Sequence, residues 1–374
     1  MSSIHALTMP KWGLSMKEGK IVDWLVEEGT DLATGVECVE IETDKILGSL
    51  ETPVAGVLRR KVAGKGDLVP VAGLLAVIAE ASVSDSQVEL FVQNFQTSFV
   101  LEKETLAESI PPPETIAVGQ HSIRYLKRGK GEEAVILIHG FGGDLNNWLF
   151  NHEELAAKRT VYAFDLPGHG GSSKGVGGGT LLELTQTLEG FMKKVEIPKA
   201  HIVGHSMGGA VALGFAVNSP ERVGSLTLVS SAALGREIDA NFIEGFIAAD
   251  RRKDLKPQLD RLFVDSGLVG RQMVEDVLKY KRLDGVEMAL RTLATRFFPD
   301  GQQAVDLRDR LGHLSMPVFV IWGAEDKILP ASHATHLPQN VRTEVLPNCG
   351  HMIQMEAAAK FNRQLQSFWD SVPA

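Results

Sequence analysis

The chain has 374 residues, 44% of them hydrophobic, and a formal net charge of −9. That length is more than one ordinary domain needs and the apolar content can fill more than one core, while the acidic balance argues against nucleic acid or an anionic membrane surface as a partner. Only Cys38 and Cys349 are present, which excludes a disulfide framework and fits a reducing compartment.

The chain's beginning, Met1 to Trp12, lacks the basic-then-apolar pattern of a secretion signal. The longest apolar stretch, Leu68 to Ala79, falls short of the roughly 20 residues that span a bilayer. A cytoplasmic protein without a membrane span is therefore expected, and no metal is expected.

Residues 1–80 contain an internal repeat. Gly19-Lys20-Ile21-Val22 aligns with Gly56-Val57-Leu58-Arg59, and Gly29-Thr30-Asp31 aligns with Gly66-Asp67 at the same offset. Each copy ends in a short apolar run, Val36 to Ile41 and Leu74 to Ile78. Alternating apolar residues broken by Gly and Asp read as short strands and turns, so this part is an all-β module with internal two-fold character. Between the copies lies Thr43-Asp44-Lys45, polar residues suited to a tight hairpin whose tip holds a lysine away from the core.

Met9-Pro10-Lys11-Trp12-Gly13-Leu14-Ser15-Met16-Lys17-Glu18-Gly19, followed by Glu42-Thr43-Asp44-Lys45, resembles the lipoyl domain of 2-oxo-acid dehydrogenase complexes. Biotinyl domains share this barrel-sandwich fold but typically carry Met on both sides of the modified lysine. Here Asp44 and Ile46 flank Lys45, which favours lipoate. The resemblance implies a lipoyl group covalently attached at Lys45.

Residues 81–115 change character. Ser82, Ser84 and Ser86 sit among acidic residues, and Pro111-Pro112-Pro113 closes the segment. Phe91, Val92, Phe95, Phe99 and Val100 fall near helical spacing, so a linker with a short helix inside Val88 to Leu106 and a stiff exit is expected. The small partner-binding domain usual at this place in dehydrogenase acyltransferases has no recognisable signature here.

From residue 116 to 374 the pattern alternates strand and helix. Ala134 to Ile138, Val161 to Phe164, His201 to Val203, Leu226 to Val229 and Val318 to Ile321 are continuous apolar runs, as in strands buried on both faces of a parallel sheet. Most lead into a Gly-rich or acidic turn and then a helix-like stretch. That is the rhythm of a doubly wound, mostly parallel sheet, whose sites lie beyond the carboxyl ends of its strands.

Gly204-His205-Ser206-Met207-Gly208 follows a strand and opens a helix, which is the context of a nucleophile elbow. By composition alone this motif arises in a chain of this length about one time in ten, so the weight rests on its companions. Asp326 follows a strand in Trp322-Gly323-Ala324-Glu325-Asp326, and His351 follows in Asn348-Cys349-Gly350-His351. Ser, Asp, His is the chain order of the α/β-hydrolases, which this part resembles. The resemblance implies that His351 takes the Ser206 proton and Asp326 orients His351. Glu325 is the competing acid, and the family's spacing after Gly323 favours Asp326. Cys349 reads as packing, and His205 as a frequent companion of the serine that need not do chemistry.

His139-Gly140-Phe141-Gly142-Gly143 follows the first long strand of this part. It lies where the family holds its backbone donors, which implies the N–H groups of Phe141 and Met207 as the oxyanion hole. Asp165-Leu166-Pro167-Gly168-His169-Gly170 is another hallmark of the family and reads as structural.

A helical, highly charged insertion at about 233–316 corresponds to the cap of such enzymes. It carries Lys279, Lys281, Arg282, Arg291 and Arg296 against Asp284 and Glu287. Such a run reads either as a solvated helix face or as contacts for a phosphate-bearing cosubstrate such as CoA.

The His-x-x-x-Asp-Gly motif of the usual acyltransferase domain is missing. Asp284-Gly285 and Asp300-Gly301 have Tyr280 and Arg296 where the His belongs. A lipoyl domain fused to an α/β-hydrolase domain resembles, over nearly the whole chain, the acetyltransferase components of acetoin dehydrogenase complexes. The resemblance implies transfer of an acetyl group from the lipoyl arm to CoA through an acyl-serine. It also implies a thiamine-diphosphate-dependent acetoin dehydrogenase component and a dihydrolipoamide dehydrogenase as partners. The alternative is a lipoyl-tethered serine hydrolase of an ester or a carbon–carbon bond, because water can take the acyl group in place of CoA.

Overall fold

The computed structural model describes residues 4–10, 18–43, 47–109 and 112–372. The chain divides into two compact units, residues 1–110 with 270–272 and residues 111–269 with 273–374.

The first unit holds eight short strands: β1 (Ile4–Thr8), β2 (Glu18–Trp24), β3 (Asp31–Leu32), β4 (Glu37–Glu42), β5 (Leu47–Glu51), β6 (Gly56–Lys61), β7 (Leu68–Pro70) and β8 (Leu74–Ala79). They form two four-stranded antiparallel sheets, ordered β1-β8-β6-β3 and β5-β4-β2-β7. The repeat in the sequence becomes an exchange of backbone bonds between its copies. Gly66 N–H donates to Ile21 C=O and Gly29 N–H donates to Leu58 C=O, both at 2.8 Å. Ile21 N–H in turn donates to Asp67 C=O at 3.0 Å, and Leu58 N–H to Thr30 C=O at 2.9 Å. Gly29 and Gly66 both turn with φ near +90°, a conformation open to glycine and strained for other residues. Ile21, Ile41 and Leu75 fill one small core, and Leu32, Leu58 and Ile78 fill another.

A 25-residue helix, α1 (Asp85–Ser109), follows β8 and is longer than the short helix expected from the apolar spacing. Arg59 anchors its start, donating to the carbonyls of Glu80 and Val83 and to Asp85. Val88 and Val92 bury against Val77 and Ala79 of β8.

The second unit is an eight-stranded sheet built from β9 (Glu114–Val118), β10 (His121–Arg128), β11 (Ala134–Ile138), β12 (Thr160–Phe164), β13 (Ala200–His205), β14 (Val223–Val229), β15 (Val318–Gly323) and β16 (Val341–Leu346). The order is β16-β15-β14-β13-β11-β12-β10-β9, parallel from β16 to β12 with β10 and β9 antiparallel at the edge. Alternation along β11 serves both faces. Ile136 and Ile138 join the core on one side, and Val135 and Leu137 join the core on the other.

The single turn α2 (His152–Leu155) contributes to the second of these faces. The helices α3 (Leu181–Lys194) and α4 (Met207–Asn218) pack on the first, through Leu188, Phe191 and Leu213. Between β14 and β15 stand four helices, α5 (Ala240–Ala248), α6 (Arg252–Asp260), α7 (Arg271–Lys281) and α8 (Val286–Phe297), where the cap was expected. The turn α9 (Ile353–Glu356) and the helix α10 (Ala358–Asp370) complete the second face with Phe361, Leu365 and Trp369. Among the described residues no helix is long and apolar enough to cross a membrane.

Candidate active site

Ser206 lies between β13 and α4 with φ 53° and ψ −122°, a strained conformation for a residue with a side chain. The surroundings enforce it. Ser206 N–H donates to Val229 C=O at 3.0 Å, and Ala232 N–H donates to Ser206 C=O at 3.0 Å. A Cβ on Gly204 would stand 2.3 Å from the Gly208 carbonyl oxygen, and one on Gly208 would stand 2.3 Å from that of His139. Only glycines let the turn close this tightly on the neighbouring strand. The Ser206 hydroxyl faces a cavity that His351 also lines.

His351, from the loop after β16, lines that cavity, and Asp326, from the loop after β15, stands behind it. His351 Nδ1 donates to Asp326 Oδ2 at 2.8 Å, and both side chains are buried. The other carboxylate oxygen accepts the Ile328 N–H at 2.8 Å and the Leu329 N–H at 3.0 Å. Glu325, the competing acid, accepts the Cys349 N–H instead, at 3.1 Å. A Cβ on Gly323 would stand 2.0 Å from Gly350 O, so glycine allows the two loops to touch.

His351 is held from three sides. Its N–H donates to Leu262 C=O at 2.9 Å, its carbonyl accepts from His205 Nε2 at 2.9 Å, and Glu356 accepts the Gly350 N–H at 2.7 Å. Neither the His205 bond nor the Glu356 clamp is visible in the sequence.

The loop after β11 brings Gly140 and Phe141 to the same cavity. Met207 heads α4, where the first amides of a helix have no intrahelical acceptor and the macrodipole is positive. Neither Phe141 N–H nor Met207 N–H donates a hydrogen bond among the described residues. Two histidines brace this loop. His139 accepts the Leu166 N–H at 3.0 Å through Nε2 and donates from Nδ1 to Gly140 O at 2.8 Å. His169 accepts the Gly142 N–H at 3.1 Å, a role that the sequence, which marked its segment only as structural, did not indicate. Burial pushes the pKa of His139, His169 and His205 below the ordinary histidine value, so all three stay neutral and keep these donor and acceptor assignments.

The cavity holds about 90 Å³ of water-sized space. Phe141, Phe242, Phe246, Phe298, Met273 and Met355 are among its lining residues, and among the described residues no Lys, Arg, Asp or Glu lines it. Such a space suits a small uncharged acyl group.

The remaining sequence candidates lie elsewhere. Lys45 is outside the described residues. The strands on either side of it, β4 and β5, pair antiparallel with Glu42 opposite Leu47. Between β14 and β15, Lys281, Arg282, Arg291 and Arg296 line an open groove of about 1030 Å³ that, among the described residues, shares no lining residue with the serine cavity. Lys279 does not line it and pairs with Asp276 at 3.6 Å. Lys281 is drawn inward and spent on the carbonyls of Phe246, Ile247 and Ala249, which leaves no donor free for a ligand. Arg291 pairs with Glu287 at 2.9 Å, and Arg296 donates to Gly178 O at 3.1 Å.

Two family models match the chain: the alpha/beta hydrolase fold over residues 133–358, and a second described as "Biotin-requiring enzyme" over residues 5–78. A dihydrolipoyllysine-residue acetyltransferase component of the acetoin cleaving system of Pseudomonas putida is 49% identical over 369 residues, covering 98% of this chain and 99% of the relative. The component of the same name from Cupriavidus necator is 45% identical, covering 97% of each chain. A solved structure of a meta-cleavage product hydrolase from Pseudomonas fluorescens matches with a TM-score of 0.64 at 24% identity, over 70% of this chain and 98% of that one. That last likeness is one of fold.

Proposed function

Since the chain belongs to the family of dihydrolipoyllysine-residue acetyltransferase components of acetoin cleaving systems, with an α/β-hydrolase fold behind a lipoyl-type module, we propose that it passes an acetyl group from a lipoyl arm on Lys45 to CoA through an acyl-serine at Ser206. The observation that carries this reading is that Ser206, Phe141 and an Asp326-oriented His351 meet at one small cavity, with the Phe141 and Met207 amides undonated among the described residues.

The first unit fits the prosthetic group. Residues 43–46 join two paired strands of a two-fold β module, which is where an accessible lysine belongs. When attached, the group supplies an acetyl thioester on a long arm. His351 Nε2 then accepts the Ser206 Oγ proton as Oγ attacks the thioester carbonyl, and Asp326 steadies the charge that develops on the ring. The Phe141 and Met207 amides take up the negative charge on the carbonyl oxygen. His351 returns the proton to the departing thiol and the acetyl group remains on Ser206. His351 next removes the proton of the CoA thiol, which attacks the acetyl-serine. It finally returns that proton to Ser206 Oγ. Thioester is exchanged for thioester, so the transfer is nearly isoenergetic.

CoA carries its phosphates far from its thiol, so a phosphate groove separate from the serine cavity matches the shape of the cosubstrate. Arg282, Arg291 and Arg296 are the contacts we assign there. Lys281 and Lys279 drop out of the set for the reasons of geometry given above. The partners on this reading are a thiamine-diphosphate-dependent acetoin dehydrogenase component and a dihydrolipoamide dehydrogenase, in the cytoplasm. The tethered-hydrolase alternative needs water in place of CoA at the acyl-serine, and acetate as the product would mark it.

The test uses the full chain, acetylated chemically on its reduced arm and mixed with CoA. Acetyl-CoA should form, and Ser206→Ala should lower its rate by several orders of magnitude. Acetate in place of acetyl-CoA, or near-normal transfer in the variant, would sink the reading.

A further inference from the structure

Gly142 directly follows the Phe141 donor and turns at φ +71°. Two supports converge on it. His169 Nε2 accepts its N–H at 3.1 Å, and the Phe246 ring packs so closely that a Cβ on Gly142 would stand 2.4 Å from it. His169 can accept there because it is neutral and its Nδ1 faces Pro167 O at 3.1 Å, which fixes the tautomer.

Both supports lead back to the same end of one cap helix. Tyr280, in the last turn of α7, lies parallel to His169, with ring centroids 6.4 Å apart and planes 14° apart, and its hydroxyl donates to Gly168 O at 2.9 Å. Lys281, the next residue, donates to the carbonyl oxygens of Phe246, Ile247 and Ala249 at the end of α5. Its ammonium also sits 4.9 Å from the centroid of the Phe246 ring. One residue thus secures the histidine that takes the Gly142 amide, and its neighbour secures the phenylalanine that covers Gly142.

We propose that Tyr280 and Lys281 are positioning residues, a clasp through which the cap holds the Gly140–Gly143 loop with the Phe141 amide aimed into the cavity. Phe141 is flanked by glycines, and within its own stretch the turn is held by the bonds of Gly143 N–H and His139 Nδ1 to Gly140 O, at 3.1 and 2.8 Å. The clasp adds a constraint from outside the loop and makes a complete oxyanion hole depend on a seated cap. The inference rests on the reading of Phe141 as an oxyanion donor to an acyl-serine at Ser206.

The experiment measures acetylation of Ser206 by p-nitrophenyl acetate, read as the burst of p-nitrophenolate from the full chain, which needs neither the lipoyl arm nor CoA. Tyr280→Phe keeps the ring and removes the hydroxyl, and Lys281→Met keeps the stem and removes the ammonium. Each should acylate about 10-fold more slowly at saturating ester, with KM changed less than about twofold, because a misdirected donor weakens the transition state and not ester binding. The pair combined should fall short of the product of the single effects, since both act on one loop. Wild-type burst rates in both variants, or a rise in KM alone, overturn the clasp. If the burst vanishes in Ser206→Ala and is untouched in the clasp variants, the clasp fails and the acyl-serine reading stands. A burst that survives Ser206→Ala overturns both.

Discussion

Asp326 holds His351 at 2.8 Å with one carboxylate oxygen while the Ile328 and Leu329 amides hold the other. The carboxylate cannot swing away from the ring without giving up two buried backbone bonds. Asp326→Asn keeps the shape but presents an amide, which favours the wrong imidazole tautomer. The acetyl-transfer rate should fall by about 10³–10⁴ with little change in KM. Glu325→Gln should leave the rate within a few-fold and change stability little, since Glu325 is exposed and the amide oxygen of Gln still accepts the Cys349 N–H. Steady-state kinetics and thermal melts of both variants decide it, and the reverse ranking of rates would transfer the acid role to Glu325.

The arm makes a second, independent case. Intact mass of protein made with a lipoate ligase should exceed that made without it by one lipoyl group, and Lys45→Arg should lose the increment. The same variant should keep its p-nitrophenyl acetate burst, because Ser206, His351 and Asp326 all belong to the other unit. An increment that persists in Lys45→Arg moves the attachment to another lysine.

Much of this architecture is legible in the chain because it is written in local patterns. The paired glycine turns at Gly29 and Gly66, the apolar runs of the parallel sheet and the glycines around Ser206 are each set by a few consecutive residues whose backbone has one practical conformation. What escapes is whatever depends on residues meeting across the fold. His169 reads as part of a structural segment until the Gly142 amide is seen pointing at it. Lys281 counts as one more positive charge on a helix until three carbonyls at the end of α5 surround it. Glu356 offers no signal, since its work is to hold the amides of Gly350 and Val264, and the latter is remote in the chain.

Buried neutral histidines predict how stability depends on pH. Burial lowers His152 and His201 from 6.5 to about 4, and Glu133 beside His201 offsets only part of that. Above pH 6.5 neither state binds a proton at these sites. As pH falls from 6.5 to 4, the unfolded chain takes up protons that the folded chain refuses, so stability is lost on acidification. Each site contributes a slope of up to about 1.4 kcal/mol per pH unit in that window. Denaturant melts between pH 7 and 4 should show it, with a shallower fall in His201→Gln. Stability that is flat across the window would mean these rings are already charged in the fold.

The cap groove yields the last prediction, and its five basic residues no longer stand as equals. Arg282, Arg291 and Arg296 line the open groove with guanidinium groups at the surface, whereas Lys279 lies outside it and Lys281 is consumed by carbonyls. A nucleotide phosphate is bound well by the planar fork of arginine, which offers two parallel donors. Asp250, Asp284 and Glu287 share the groove, so its positive field is modest and losing two arginines should matter. Arg291→Glu combined with Arg296→Glu should raise the KM for CoA by about 10-fold or more and leave the p-nitrophenyl acetate burst unchanged, since among the described residues the groove and the serine cavity share no lining residue. The penalty should shrink as salt rises above about 0.1 M, where the screening length is about 10 Å. Lys279→Glu serves as the control and should leave the KM near its wild-type value. Equal effects from Lys279→Glu and from the arginine pair would mean a diffuse field with no defined phosphate contact, and no effect from either would send the search for the CoA phosphates to another face of the protein.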